Sequence, residues 1–291
     1  MKPETLVTRA GRPWSRALPV AVAALWALLW LGGSGSLTGC SDFNRALKSD
    51  SIEYKVEVAE KYFAKGDYDR AMPLLEELIA LSRGTARSER VNYLYAKSIY
   101  GSKDYILAGY YLDNFAKTFP TSQFAEECTF LSALCYYKNS PEWELDQTDT
   151  EAAIDQFQNF LAFYPMSTLK DSCNTLIDQL RGKLERKDWE NAKQYFRLRN
   201  YESASTALRN FARKWPNSRY REEALLTILR SDHDLAMNSV EQKRADRAAE
   251  GIRAFNNFAD AFPESASMDE ARRLHQDLLH LQERHTKRHT P

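Results

Sequence analysis

The sequence predicts an all-α protein, an α-solenoid of about five helical hairpins, and three observations lead to this class. One pattern of residue types occurs five times along the chain, beginning at Tyr68, Tyr105, Thr150, Tyr201 and Ala248. Four of these copies end in an aromatic residue that is followed directly by proline. Finally, 43% of the 291 residues are hydrophobic and 12% are aromatic, which is enough to bury a core.

Each copy of the pattern describes one face of a helix. A small residue stands three positions after the first, and large apolar residues stand seven and ten positions after it, as in Ala204, Leu208 and Phe211. Offsets of 0, 3, 7, 10 and 14 fall on one side of an α-helix. This side is therefore predicted to be buried, and the small residue allows a neighbouring helix to approach closely.

The prolines and the stretches before each copy complete the hairpins. Proline disfavours the helical conformation in the residue before it, so each helix should end at the aromatic residue that precedes Pro120, Pro165, Pro216 or Pro263. A serine two residues after each proline can cap the next helix. Amphipathic stretches at 54–65, 91–100, 124–137, 189–198 and 224–237 are predicted as the first helices of the pairs. This pattern is typical of tetratricopeptide repeats, although spacings of 37 to 51 residues exceed the usual 34.

The first forty residues differ from the rest of the chain. Basic residues precede a run of fifteen uncharged residues at 17–31, too short for a typical spanning helix and suited to a secretory signal. The sequence Leu-Thr-Gly-Cys that ends at Cys40 resembles the bacterial lipobox, in which the cysteine is lipidated and the signal is cleaved before it. A plain signal peptide and an uncleaved anchor are the alternatives. Stable attachment needs at least two acyl chains, and the resemblance implies a tri-acylated (palmitate-bearing) Cys40.

Several classes of chemistry lack their motifs. The formal net charge is zero, which argues against a nucleic-acid-binding protein. The chain has no phosphate-binding glycine loop, no H-E-x-x-H and no C-x-x-C, so neither an enzyme nor a metal site is predicted. Four of the five histidines fall in the last seventeen residues, where we expect a polar, solvated tail. Cys128, Cys135 and Cys173 are predicted to be buried thiols.

The chain resembles the BamD family of outer-membrane β-barrel assembly lipoproteins, in a form like that of Bacteroidota. The resemblance rests on the signal, the five long repeats and the segments AEKYFAKGDYDRAMPLLEELI and YYLDNFAKTFPTSQFAEECTFLSALCYY. The resemblance covers about 37–273. It implies a non-enzymatic, cofactor-free subunit that is anchored by its lipid in the outer membrane, faces the periplasm and binds two kinds of partner. These are the barrel-forming assembly subunit and unfolded outer-membrane proteins, the clients. The alternative is an envelope-organising scaffold for peptidoglycan or division machinery.

Aromatic and charged residues suggest where partners bind. The candidates for client binding are Tyr62, Tyr93 and Tyr100, because they lie on first helices and their aromatic rings can contact a partner. Segment 139–169 has six acids and no Lys or Arg, whereas 181–221 has twelve basic residues and four acids, which is either a solvated face or a dock for an acidic protein surface. Arg197, Arg199 and Arg219 are the candidates for docking. The predicted organisation is a signal peptide (1–39), a tether (40–50), the repeat domain (51–273) and a polar tail (274–291).

Overall fold

A computed structural model describes residues 38–289, with side chains described for 42–284. The described chain contains twelve α-helices and no strand. The helices are α1 Thr38–Leu47, α2 Ile52–Ala64, α3 Tyr68–Leu81, α4 Arg87–Gly101, α5 Tyr105–Thr118, α6 Ala125–Asn139, α7 Thr148–Phe163, α8 Lys170–Arg197, α9 Tyr201–Lys214, α10 Arg221–Met237, α11 Glu241–Ala261 and α12 Met268–His289. The predicted all-α class is confirmed. None of these helices is long and apolar enough to cross a bilayer.

The described chain forms two compact units, which divide after Ser102. The N-terminal unit contains α1–α4, and the C-terminal unit contains α5–α12. The helices from α2 to α11 follow one another in five pairs, as the repeat predicts. Each copy of the pattern begins at or inside the second helix of a pair.

The central positions of the predicted face are buried in the first four copies. In the fourth copy, Ala204, Leu208 and Phe211 are at most 3% exposed, and the equivalent residues of the first three copies are also buried. The side chain of Phe255 in the fifth copy is only partly buried. The helices end before the aromatic residues, and Phe211 and Trp215 mark the end of α9 through a backbone hydrogen bond of 2.9 Å. Each serine of the motif then accepts from the amide two residues later, as Ser218 does from Tyr220 at 2.9 Å.

The fourth pair differs from the prediction because its first helix, α8, has 28 residues and not ten. Its first half places Cys173, Ile177 and Leu180 in the same core as α7, and its second half places Trp189 in the core with α9. One uninterrupted helix therefore serves two adjacent pairs. Between these halves, Lys183 donates to the Ser140 hydroxyl at 2.6 Å and to the Pro141 carbonyl at 2.8 Å, which holds the loop before α7.

Both predicted ends of the repeat domain need correction. The segment predicted as a tether, 40–50, is largely helix α1, and the segment predicted as a polar tail, 274–291, continues α12 as far as His289. Leu278 and Leu281 are buried, and the ring of His275 stacks on Phe255 with 4.0 Å between centroids. Burial lowers the pKa of His275. Although most residues of α12 are polar, one stripe of its side chains packs on the last helix pair. This segment is therefore not a solvated tail.

The three cysteines Cys128, Cys135 and Cys173 are buried free thiols, as predicted. Burial raises the pKa of Cys135 to about 12 and that of Cys173 to about 11. At neutral pH Cys135 and Cys173 are therefore protonated and behave as small apolar side chains.

Candidate partner-binding surfaces

The anchor segment is attached closely to the first helix pair. Of the predicted signal peptide, 1–39, residues 1–37 lie outside the described part of the chain, and 38 and 39 begin α1. The backbone of Cys40 also belongs to α1, whereas its side chain is outside the described residues. Asp42 pairs with Lys61 at 2.8 Å, and the ring of Phe43 contacts that of Tyr62 edge to face at 6.1 Å. Because contacts with α2 begin two residues after Cys40, little free chain separates Cys40 from the N-terminal unit.

Two of the three tyrosines predicted for client binding are core residues. Tyr62 is 3% exposed, between Phe43 and the guanidinium of Arg70, and Tyr93 is 9% exposed. Tyr100 is partly buried. We therefore correct the prediction for Tyr62 and Tyr93, since side chains that fill the core cannot present their rings to a partner. Position on a first helix does not distinguish its inner from its outer face.

Exposed apolar side chains that the sequence analysis did not select lie on α5. Ile106 is 80% exposed and Tyr110 is 63% exposed, one helical turn further along. The ring of Tyr110 makes an edge contact of 5.2 Å with Tyr111. Next to them a small groove of about 180 Å³ is lined by Ile106, Gly109 and Tyr136, among others. Large apolar residues grouped on a surface often mark a binding site.

The three arginines predicted for docking do not form one cluster. Arg197 ends α8 and pairs with Glu190 at 3.0 Å, and Arg199 follows in the left-handed conformation with a φ of 57°. Arg219 precedes α10, where its guanidinium lies 4.7 Å from the Tyr220 ring centroid. Tyr220 in turn stacks on Trp189, with 5.3 Å between centroids. Trp189 is eight residues from Arg197, about 12 Å along the helix, so these arginines form two exposed basic positions.

A cleft that the sequence analysis missed lies between α9, α10 and α11. It has a volume of about 450 Å³, and three arginines line it together with apolar residues. The arginines are Arg209, Arg213 and Arg221. Because they come from two helices, no local sequence motif predicts that they line one cleft. No group of three potential metal ligands occurs in the described part of the chain.

The comparisons with known proteins give the family. Residues 54–247 match the model of the family YfiO, described as an outer membrane lipoprotein. The chain belongs to this family. The YfiO match spans the first helix pair through the start of α11, the second helix of the fifth pair, so it covers most of the repeat region described above. This confirms the resemblance found in the sequence.

A curated relative of this YfiO chain is a protein of Aquifex aeolicus named "Putative outer membrane protein assembly factor BamD". The two are 33% identical over 132 residues, which is 45% of this chain and 42% of the relative. The match thus spans less than half the length of the relative.

Two solved structures are similar to the chain at lower identity. They are the TPR2AB domain of yeast Sti1 in its pHSP90 complex (11% identity, TM-score 0.36, 78% of this chain and 98% of that one) and the human IFIT1 dimer with PPP-AAAA (12%, 0.24, 83% and 71%).

Proposed function

We propose that this chain is a lipid-anchored scaffold subunit that helps outer-membrane β-barrel proteins to fold and insert. The match of residues 54–247 to a family of outer membrane lipoproteins carries the proposal. The similarity to a relative named as an outer membrane protein assembly factor supports the role in assembly. The subunit acts by holding other polypeptides, without a cofactor and without catalysing a reaction.

In this proposal a lipid on Cys40 holds the N-terminal unit against the periplasmic face of the outer membrane. Two residues separate Cys40 from Phe43, whose ring packs on Tyr62, so the link from anchor to fold is at most about 11 Å long. Lys55 also donates to the Leu47 carbonyl at 3.3 Å and fixes the end of α1. Fractionation tests the anchor. Cys40→Ala should move the protein from the membrane to the soluble fraction, whereas continued membrane association would contradict it.

Client binding is assigned to exposed apolar residues in place of the two buried tyrosines. Ile106 and Tyr110 present about one turn of apolar surface on α5, and Tyr100 remains a candidate. An unfolded β-barrel strand has apolar side chains on alternate positions, and these can pack on such a surface. Ile106→Ser together with Tyr110→Ser should weaken cross-linking to unfolded barrel proteins. Met166→Ser is the matched control because Met166 is 92% exposed on a different turn.

Partner docking is assigned to the basic positions of the fourth pair. The side chain of Arg197 is 58% exposed, and it donates from Nη2 to Glu190, which leaves its other N–H donors for a partner. Arg199 and Arg219 are exposed as well. An acidic surface on the barrel-forming subunit would complement these charges, with greater effect on association rate and specificity than on total affinity.

Co-purification tests the partner directly. A tagged chain isolated from detergent-solubilised envelopes should bring down the barrel-forming subunit, identified by mass spectrometry. Arg197→Glu with Arg199→Glu should reduce its yield, whereas Arg272→Glu on α12 changes the same kind of charge elsewhere and should not. A preparation without that subunit would contradict the proposal. Mid-cell localisation with division proteins in the preparation would favour the envelope-organising scaffold instead.

A further inference from the structure

The cleft between α9, α10 and α11 combines positive charge with an apolar floor. Leu225, Ile228 and Ala254 form the floor and belong to the same core cluster as Phe211 and Phe258. Leu225 is only partly buried, so part of its side chain faces the cleft. The volume, about 450 Å³, is within the range of sites that hold small ligands or a few residues of peptide.

Two of the arginines in the cleft are held in place by the protein. Arg209 donates from Nη2 to the buried carboxylate of Asp232 at 2.6 Å and from Nε to Ser205 at 3.2 Å. Arg221 donates from Nη1 to the carbonyl of Ala212 at 3.3 Å. A guanidinium carries five N–H donors, so each retains donors for a ligand. Because their conformations are already fixed, less side-chain entropy is lost when a ligand binds.

The third arginine supplies charge that the protein does not neutralise. Within residues 42–284, Arg213 makes no recorded hydrogen bond or ion pair, and it is exposed at the end of α9. Asp232 balances Arg209, and Glu250, which lies 3.8 Å from Arg209, is itself paired with Arg253. Asp260 is the one acid among the residues that line the cleft, all of which are described. Arg213 and Arg221 together therefore exceed the acidic charge at the rim, and an anionic group is favoured there.

The residues of the cleft are not required by the repeat itself. The other four copies have different residues where the fourth has Arg209, namely Glu76, Asp113, Gln158 and Asn256. Likewise the position of Leu225, counted from the proline, is polar in the other three copies that have this proline, as Thr129, Asn174 and Arg272. Arg209 and Leu225 are therefore particular to this pair of helices, whereas Lys117 and Lys170 stand at positions equivalent to those of Arg213 and Arg221. Only here are three arginines combined with the apolar side chain of Leu225.

The geometry points to a binding site for an extended segment of a partner protein in which Asp or Glu lies two residues from a large apolar side chain. Residues i and i+2 of an extended strand point to the same side, so the carboxylate can meet Arg213 and Arg221 while the apolar group covers Leu225. A phosphate would use the arginines and leave the apolar floor exposed. The site deepens the proposed scaffold function, because it gives one partner contact a definite chemistry.

Fluorescence anisotropy with defined peptides tests this site. The probe, called the Leu–Glu peptide, has the sequence Ser-Leu-Ser-Glu-Ser-Leu-Ser-Glu with both ends blocked, so each Glu lies two residues from a Leu. The full chain is used in detergent. The Leu–Glu peptide should bind, and a Leu–Gln peptide of the same length should bind about tenfold more weakly, which corresponds to about 1.4 kcal/mol. Higher salt should weaken binding of the Leu–Glu peptide.

Variants separate the cleft from general charge. Arg213→Ala should weaken Leu–Glu binding about tenfold, and Leu225→Asn should weaken it several-fold. Arg272→Ala removes one exposed charge outside the cleft and should have no effect. Since Arg213 is exposed, its variant should keep the wild-type melting temperature, which shows that it folds.

The inference is overturned if the wild type binds no Leu–Glu peptide, if Leu–Gln binds equally well, or if Arg213→Ala has no effect. Binding only when the peptide has a free C-terminal carboxylate would overturn it too, because that identifies a chain end and not an acidic side chain. The scaffold function can fail separately. Its test is co-purification. If the peptide binds but the barrel-forming subunit does not co-purify, the site stands and the scaffold function fails. If the subunit co-purifies but the peptide does not bind, the scaffold function stands and the site fails.

Discussion

Alanine should have opposite effects when it replaces Gly101 and Gly182, although both glycines are in helices. Gly101 ends α4, and a Cβ added there would lie 2.2 Å and 2.3 Å from Cε2 and Cζ of Tyr68. These separations are far shorter than carbon atoms tolerate, so the ring would have to move. Tyr68 begins α3 and makes an edge contact of 5.9 Å with Phe63, so movement of its ring also disturbs the packing around Phe63.

The expected free energies follow from these surroundings. Added carbon in a packed site costs about 1–3 kcal/mol, and alanine returns about 0.5–1 kcal/mol of helix propensity, so Gly101→Ala should destabilise by about 1–2 kcal/mol. Gly182 is in the middle of α8, and no atom lies within 4 Å of a Cβ added there. Gly182→Ala should therefore stabilise by about 1 kcal/mol.

Urea unfolding followed by circular dichroism measures both values. A double-mutant cycle then assigns the cost at Gly101 to the tyrosine ring. In a Tyr68→Ala background, Gly101→Ala should lose its penalty, since the ring it meets is gone. Equal destabilisation in the two backgrounds, or a stabilised Gly101→Ala single variant, would refute the packing described for the N-terminal unit.

Three further predictions concern the C-terminal unit. Replacing Phe211, which is buried against Trp189, with alanine should lower the free energy of unfolding by about 3–5 kcal/mol. An unchanged melting temperature would mean that the residues of the repeat pattern do not form the core. His275 has a lowered pKa, so the unfolded chain binds its proton more readily; the stability it contributes is present above about pH 6.5 and lost as the pH falls below it. Between pH 7.5 and pH 5 the melting temperature should therefore fall less in His275→Phe, and equal falls would contradict this. Cys135 should not react with a thiol reagent at pH 8 until the protein unfolds, and rapid reaction would contradict its burial.

Much of the fold could be predicted because the repeat itself specifies what is buried. Spacing alone places Ala204, Leu208 and Phe211 on one face, and the structure buries all three. The ends were harder to predict because both helices lie outside the repeated pattern. Polar residues dominate α12, and its buried Leu278 and Leu281 are only three residues apart. The length of α8 was missed because each first helix was predicted only from the amphipathic stretch just before its copy. In the structure α8 also extends towards the preceding pair and contributes to two cores.

The binding surfaces were less predictable because they depend on which face of a helix meets its neighbours. The sequence marks Tyr62 and Tyr110 equally as aromatic, yet one is 3% exposed and the other is 63% exposed. The cleft joins Arg213 with Leu225, twelve residues apart on different helices, which no single-helix pattern brings together. The basic segment 181–221 contains all three arginines of the cleft, and comparing the copies position by position, as for Arg209, shows where the fourth differs.

Depletion of this chain in the cell gives the most direct test of the proposed scaffold function. The measurement is the amount of folded β-barrel protein in the outer membrane, followed by heat-dependent mobility on gels as the chain disappears. We predict that folded barrels decrease while their unfolded precursors accumulate in the periplasm. Unchanged barrel levels, accompanied by a defect in division or in the cell wall, would contradict the role in assembly.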